Sequence, residues 1–126
     1  MEEEVAYLPQ QPHLFKASIR DNVSLFKDCQ DSSVSNVLNT VGLDFNINDI
    51  PNGLSRGQIQ RLGLARVLLI SAKILILDEP TASVDLVTRQ HIIKIIEDLR
   101  HYHSILIATH DPDLICHADF LINLDE

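Results

Sequence analysis

Two adjacent acids, Asp78 and Glu79, follow four apolar residues, Ile74–Leu77, and precede a proline. Carboxylate oxygens are the ligands that Mg²⁺ prefers, and Mg²⁺ usually keeps several of its waters. A second carboxylate beside such a site can orient or deprotonate an attacking water. A strand that simply ends in solvent also carries acids often, so this stretch alone leaves both interpretations open.

A second candidate for chemistry is the start of the sequence LSRGQIQRLGLARVLL, residues 54–69. Ser55 and Gln58 have the spacing of a capping box before an apolar helix. The N-terminus of a helix exposes unpaired N–H groups and a positive dipole end, and Gly57 lets the backbone approach a ligand, so an anion could bind there. A cap without any ligand explains the same residues and is favoured when they are taken alone.

Three further polar residues stand at ends of predicted elements. His110 follows the apolar run Ser104–Thr109, where an imidazole can reach a phosphate or a water, although many such histidines are ordinary polar residues. Gln10 follows a short apolar stretch, and Asp85 is a good N-cap for the helix after it. Neither of these two indicates a function by itself.

The elements that would position these residues alternate between strands and helices. Hydrophobic periodicity and turn residues predict strands at Val5–Leu8, Ile74–Leu77, Ser104–Thr109 and Phe120–Leu124. They predict a loop and then a short helix within 10–26, and further helices at 31–42, 55–69, 86–100 and 112–116, with Asp31, Ser55 and Asp111 as caps and Gly42 at the end of the second. The alternation predicts an open α/β sheet of parallel strands covered on both faces. In such sheets ligands bind beyond the carboxyl ends of the strands, which is where Asp78, Glu79 and His110 fall.

Composition narrows the class of protein. The 126 residues carry a formal net charge of −8 without a Lys/Arg cluster, which argues against nucleic acid or an anionic membrane surface as a direct partner. The apolar runs are too short to span a bilayer. Cys29 and Cys116 lack metal-ligand spacing and are expected to be reduced thiols of a cytosolic protein.

Taken together, five motifs in order resemble the nucleotide-binding domain of ABC ATPases over nearly the whole chain. YLPQQPHLF is similar to the Q-loop, LSRGQ to the signature motif, ILILDEP to Walker B, ASVD to the D-loop and ATHD to the H-loop. The resemblance implies a partial P-loop NTPase fold, with a helical subdomain at about 11–70 and an α/β core at about 71–126. SIRDNVSLF is most similar to exporters, whereas DEPT is more frequent in importers, so the direction of transport stays open.

The resemblance also implies roles at the sheet edge. Asp78 would ligate Mg²⁺ through water, Glu79 would polarise the hydrolytic water, and His110 would contact the γ-phosphate of ATP. Gln10 would sense Mg²⁺ and water and link to the transmembrane subunit. Catalysis would consist of positioning and charge stabilisation, not covalent chemistry.

The remaining matched residues would act across a dimer of nucleotide-binding domains. Ser55, Gly57 and Gln58 would contact ATP held by the opposite domain, and Asp85 would act at the dimer interface. The implied location is the cytoplasm, peripheral to the cytoplasmic face of the cell membrane.

Two departures from the family pattern qualify these expectations. Arg56 replaces the first glycine of the usual LSGGQ and is expected to be tolerated. More seriously, none of the four glycines precedes a lysine, so the 126 residues contain no G-x-x-x-x-G-K-[ST] phosphate loop. Strand edges are therefore expected to be exposed.

Three functions remain open on the sequence. The first is the ATP-binding subunit of an ABC transporter, present as a C-terminal fragment that needs a complementing chain. The second is a non-enzymatic interaction module that donates the signature motif or regulates a full subunit. The third is an ABC ATPase without a transport role, against which SIRDNVSLF, the acidic balance and the absence of coiled-coil arms count.

Overall fold

The computed structural model describes residues 4–124, which form three strands and five helices. The strands are β1 (Val5–Leu8), β2 (Ile74–Asp78) and β3 (Ser104–Ala108), and the helices are α1 (Ile19–Ser24), α2 (Asp31–Thr40), α3 (Arg56–Ile70), α4 (Leu86–Leu99) and α5 (Pro112–Ile115). Among the described residues, no helix is both long and apolar enough to cross a membrane.

The three strands form one parallel sheet in the order β1-β2-β3. Leu8 lies opposite Leu77, and Asp78 lies opposite Ala108, so the carboxyl ends of all three strands meet at one edge. The predicted parallel α/β sheet is confirmed, and its strands were predicted to within one residue. The predicted division of the chain near residue 70 stays a prediction.

The sheet is covered on one face. The face that packs into the core carries Ala6 and Leu8 of β1 and their register partners in β2, Leu75 and Leu77. Leu75 and Leu77 are 1% and 0% exposed. The other face carries Tyr7, Ile74 and Leu106, which are 55%, 41% and 61% exposed. The prediction of burial on both faces is therefore wrong for residues 4–124, because the core cluster includes Leu75 and Leu77 and their face but leaves out Ile74, Ile76 and Leu106 of the other face.

Helix α3 lies against β1 through a close backbone approach. A Cβ at Gly63 would come within 2.6 Å of Pro12 Cγ and 2.8 Å of Leu8 Cδ1, so only glycine fits there without displacement. Leu62 and Leu64 on either side of it are 1% exposed. The helix is thus held at a distance from the sheet that no larger residue at this position allows.

The loop between β1 and α1 is organised by the fully buried Asn22. Its amide donates to the carbonyls of Phe15, Ala17 and Ser18 at 3.0–3.1 Å, and its Oδ1 accepts from the N–H of Phe15 at 2.8 Å. Arg66 of α3 donates to the Asn22 carbonyl at 2.6 Å, and burial lowers the pKa of this guanidinium. The segment that follows Gln10 is therefore tied to the middle of α3.

Two predictions about individual elements are wrong. Phe120–Leu124 is not a strand: Phe120 is 93% exposed, and no described strand lies beside it to satisfy its backbone groups. Asp31 is not a cap but the first residue of α2, whose N-cap is Gln30 without a side-chain bond. The expected end of that helix is confirmed, since Gly42 follows it at a φ of +76°.

Candidate functional site

The candidate site lies where β2 and β3 end. The backbone N–H of Glu79 donates to the carbonyl of Ala108 at 2.8 Å, which extends the pairing of the two strands by one residue. Glu79 then turns the chain with a φ of 49°, in the left-handed region that non-glycine residues seldom adopt. This turn leads the chain out of β2 into the loop that carries Thr81.

The structure brings Glu79 and His110 together. Oε1 of Glu79 lies 3.9 Å from Nε2 of His110, which is longer than a hydrogen bond, so the two groups face each other without bonding directly. The His110 side chain is 84% exposed and that of Glu79 is 21% exposed. A carboxylate and an imidazole so arranged can share a water or a phosphate oxygen between them.

Asp78 lies on the same sheet edge, on the exposed face. Tyr7 lies opposite Ile76, so Asp78 is its diagonal neighbour, and the Tyr7 hydroxyl donates a long hydrogen bond of 3.4 Å to Asp78 Oδ2. That single contact leaves carboxylate lone pairs for a cation. Within residues 4–124, no group of three or more acidic, His or Cys side chains is arranged to hold a metal ion by itself.

The residue after His110, Asp111, has a carboxylate that is largely buried. Asp111 accepts hydrogen bonds from Arg89 Nε at 2.8 Å, from Arg89 Nη2 at 2.6 Å and from Thr81 Oγ1 at 2.7 Å. Its side chain is 8% exposed. We call Thr81, Arg89 and Asp111 the Asp111 clamp.

Electrostatics match this geometry. The guanidinium of Arg89, with help from the Thr81 hydroxyl and the N–H of Asp113, holds the pKa of the Asp111 carboxyl below its ordinary value. The two carboxylates of Asp111 and Asp113 raise the pKa of Arg89 above its ordinary value. The clamp is therefore a charged pair at any ordinary pH, with both oxygens of Asp111 occupied.

The predicted signature segment starts α3 with the expected capping box. Ser55 Oγ accepts from the Gln58 N–H at 3.1 Å, and Gln58 Oε1 accepts from the Ser55 N–H at 2.9 Å. Gly57 is buried, and a Cβ there would lie 3.2 Å from Thr88 Cγ2, so the first turn of α4 lies against this helix start. Ser55 and Gln58 are thus engaged with each other in this structure.

Other predicted site residues stay apart from the Glu79–His110 pair. Gln10 is exposed two residues beyond β1, and Asp85 is the exposed N-cap of α4 without a side-chain capping bond. Within residues 4–124, no hydrogen bond or ion pair joins Gln10, Ser55 or Asp85 to the acids at the end of β2. The structure thus assembles one part of the predicted set, at the ends of β2 and β3.

Sequence reasoning missed four residues around this edge: Tyr7, Thr81, Arg89 and the carboxylate role of Asp111. Asp111 was predicted only as an N-cap, and its side chain does accept from the Asp113 N–H at 3.0 Å. Period-two alternation in paired strands could have placed Tyr7 beside Asp78. No sequence signal joins Arg89 to Asp111, which lies 22 residues further on.

Known proteins resemble the chain over most of its length. It is 32% identical over 98% of its residues to the macrolide export ATP-binding/permease protein MacB of Psychrobacter cryohalolentis. It is 34% identical over 84% to the glutathione/L-cysteine transport system protein CydC of Escherichia coli, and 31% identical over 96% to the probable multidrug resistance protein YheI of Bacillus subtilis. It spans 20% to 23% of the length of these relatives.

A solved structure and a family model agree with these relatives. The dimeric post-hydrolysis state of the ATP-binding cassette MJ0796, bound to ADP and Pi, superposes with a TM-score of 0.76 at 25% identity, over 89% of this chain and 54% of that one. The fold is therefore the α/β fold of ABC ATPases, within the P-loop NTPases. Residues 1–82 match the model described as ABC transporter, and the chain accordingly belongs to the ABC transporter family.

Proposed function

We propose that the chain supplies the hydrolytic and signature elements of an ABC transporter ATPase that couples ATP hydrolysis to transmembrane transport, of the exporter kind. The observation that carries this proposal is the convergence of Glu79 and His110, 3.9 Å apart, at the end of the strand that also carries Asp78. A water-polarising base, a phosphate contact and a magnesium ligand are the groups that phosphoryl transfer to water requires.

Each residue has a proposed role at this edge. The Glu79 carboxylate orients and polarises the attacking water, and the His110 imidazole donates to the γ-phosphate. Asp78 would hold Mg²⁺ through water, and the ion would supply charge neutralisation on the phosphates. Gln10, two residues beyond β1, would sense the ion and its water. Gln10 also links to a transmembrane subunit, which places the domain at the cytoplasmic face of the cell membrane.

The signature segment acts on a second nucleotide-binding domain. Ser55 and Arg56 are exposed at the capped start of α3, where backbone N–H groups and the helix dipole favour an anion. Ser55, Gly57 and Gln58 would meet ATP held by the opposite domain, and Asp85 would act at the interface. The dimer of the related cassette supports this arrangement.

A second candidate function is donation of the signature motif in trans without hydrolysis by this chain. It is favoured by the absence of a Gly-Lys phosphate loop from the 126 residues. ATP at the proposed site needs such a loop from outside them, either in a longer form of the chain or in another subunit. The two functions differ in whether Glu79 matters.

The test fuses the preceding half of an ABC ATPase of known structure, which carries a Walker A loop, to residues 4–124. We expect Mg-ATP turnover, and Glu79→Gln should lower kcat by about 100-fold or more, because the base is lost, with little change in ATP affinity. Asp98→Asn removes a charge from the exposed side of α4 and should leave turnover unchanged. Turnover that persists in Glu79→Gln would exclude the proposed role.

Calorimetry of Mg-ATP separates the alternatives. The 126-residue chain alone should not bind ATP, since it has no phosphate loop. If it stimulates binding or hydrolysis by a full ABC subunit, and Glu79→Gln does so equally well, the trans-donating function is correct. Binding by the chain alone would show that another element holds the phosphates.

A further inference from the structure

The loops that carry Glu79 and His110 are joined on two sides. On one side the Glu79 N–H bonds to the Ala108 carbonyl at 2.8 Å. On the other side Thr81 Oγ1 bonds to Asp111 Oδ2 at 2.7 Å. The carboxylate and the imidazole therefore lie between two fixed points, one in the backbone and one between side chains.

His110 itself has little to hold it. Its side chain is 84% exposed, and its described polar neighbour is Glu79 at 3.9 Å, beyond hydrogen-bond length. Its backbone neighbours are both fixed, since the Asp111 N–H donates to Thr109 Oγ1 at 2.9 Å and the Asp111 carboxylate is held in the clamp. The position of the His110 imidazole is thus determined by how Asp111, the next residue in the chain, is held.

Asp111 is in turn fixed by Arg89. A bidentate guanidinium sets both the position and the plane of a carboxylate, which a single hydrogen bond does not. Arg89 projects from α4, whose Ile92, Ile95 and Ile96 are anchored in the core at 1–6% exposure. Arg89 therefore carries the rigidity of α4 to the loop behind His110.

We propose that the Asp111 clamp is a positioning device that sets the separation between the Glu79 carboxylate and the His110 imidazole. Arg89 and Asp111 are positioning residues, since neither points to a substrate: both oxygens of Asp111 are taken by protein donors. The proposal rests on the proposed function only for the importance of that pair, and its geometric content is tested in the chain itself.

The experiment uses histidine labelled at Cε1 in the 126-residue chain and follows the His110 signal, identified by its loss in His110→Asn. Glu79→Gln should move this signal at neutral pH in the parent chain, because the facing carboxylate becomes a neutral amide. In an Arg89→Gln background the same substitution should move it by less than half as much. Arg100→Gln is the matched control, since Arg100 ends the same helix with an ion pair of 2.7 Å to the exposed Asp119.

The outcomes decide the proposal. An equal response to Glu79→Gln in the parent and Arg89→Gln backgrounds overturns it and leaves the clamp with a structural role only. No response in the parent overturns it too, since there is then no pair to position. If Arg89→Gln does not fold, Thr81→Val decides by the same criterion, because it removes the Asp111 contact with little change in volume.

This readout is independent of ATP. Turnover in the fused protein tests the role of Glu79 as a base, whereas the His110 signal reports only where the imidazole lies. A failed turnover test with a reduced response in Arg89→Gln would remove the proposed function and keep the clamp. The reverse result would keep the function and remove the clamp.

Discussion

At the scale of single residues, the Asp111 carboxylate is expected to contribute strongly to the stability of the site. It lies 8% exposed between Arg89 and Thr81, so removing its charge weakens the hydrogen bonds that it accepts from both, although Arg89 Nη2 also donates to Asp113 at 2.6 Å. Hydrogen bonds between charged partners are worth more than neutral ones. The stability of the site should therefore depend on the ionised form of this carboxyl.

We expect Asp111→Asn to lower the free energy of unfolding by roughly 2 kcal/mol at neutral pH, the value of a charge-assisted hydrogen bond. The pKa of Asp111 is lowered by folding from about 3.8, so its contribution is present above that value and is lost as the pH falls through the folded pKa. The difference between parent and variant should thus shrink with acidification. Urea unfolding from neutral pH to below pH ~4 measures it.

The control for this experiment is Asp98→Asn on the exposed side of α4, which should change stability by less than ~0.5 kcal/mol at every pH. A constant difference between Asp111→Asn and the parent down to the lowest pH would contradict the prediction, since it would mean that the carboxyl does not titrate with folding.

Residue-level prediction from the sequence succeeded where a strand end carries the group. Glu79 and His110 were placed at one edge because parallel strands end together, and the structure brings them to 3.9 Å. The Asp111 clamp could not be predicted from the sequence, because Arg89 and Asp111 belong to different elements. Which surface arginine meets which acid depends on how α4 packs, and no local spacing encodes that.

At the scale of elements, α3 shows two kinds of constraint on one helix. Its start is fixed by the reciprocal bonds of Ser55 and Gln58, which lie within one turn. Its middle is fixed by Gly63, which meets Leu8 and Pro12 from a distant part of the chain. The first constraint stabilises the helix locally, and the second determines how closely it approaches the sheet.

Ser55→Ala should lower the free energy of unfolding by about 1 kcal/mol, because it leaves an N–H group at the helix start without its acceptor. Ser35→Ala is the matched control, since Ser35 is exposed in the interior of α2, where alanine is the better helix former. Chemical denaturation compares the two. Equal effects at both serines would show that the cap contributes nothing.

Gly63→Ala should lower stability by about 1–3 kcal/mol, because overpacking outweighs the helix propensity that alanine adds. The added carbon would lie 2.6 Å from Pro12 Cγ, so the cost should fall in a Pro12→Ala background, where that carbon is absent. A double-mutant cycle by thermal or urea unfolding gives this coupling. The same cost in both backgrounds would place the clash elsewhere.

Prediction of elements followed the same division between local and distant causes. The capping box at Ser55 and the Asp111-Pro112 start of α5 were predicted because the signals lie within four residues. Phe120–Leu124 was wrongly predicted as a strand, since an apolar run becomes a strand only where a neighbour offers hydrogen bonds.

At the scale of the whole molecule, the sheet leaves apolar side chains uncovered. Among the described residues, β3 pairs only with β2, so its other edge has free backbone groups. Leu106 at the centre of β3 is 61% exposed on the open face, which also carries the exposed Tyr7 and Ile74. Such a strand is a template for pairing with another chain.

We expect the 126-residue chain to self-associate as its concentration rises, and Leu106→Lys to shift that association to higher concentration by placing a charge on the open face. Sedimentation velocity over a concentration series measures it. Leu121→Lys is the control, because Leu121 is equally exposed, at 66%, but lies outside the sheet. A parent that stays monomeric throughout, or equal effects of the two lysines, would contradict the prediction.

The left-handed backbone at Glu79 sets the stability of the protein against its proposed chemistry. A non-glycine residue at a φ of 49° costs on the order of 1 kcal/mol, and asparagine or glycine would relieve part of it. Replacing Glu79 with asparagine or glycine should therefore raise the free energy of unfolding and remove the proposed chemistry.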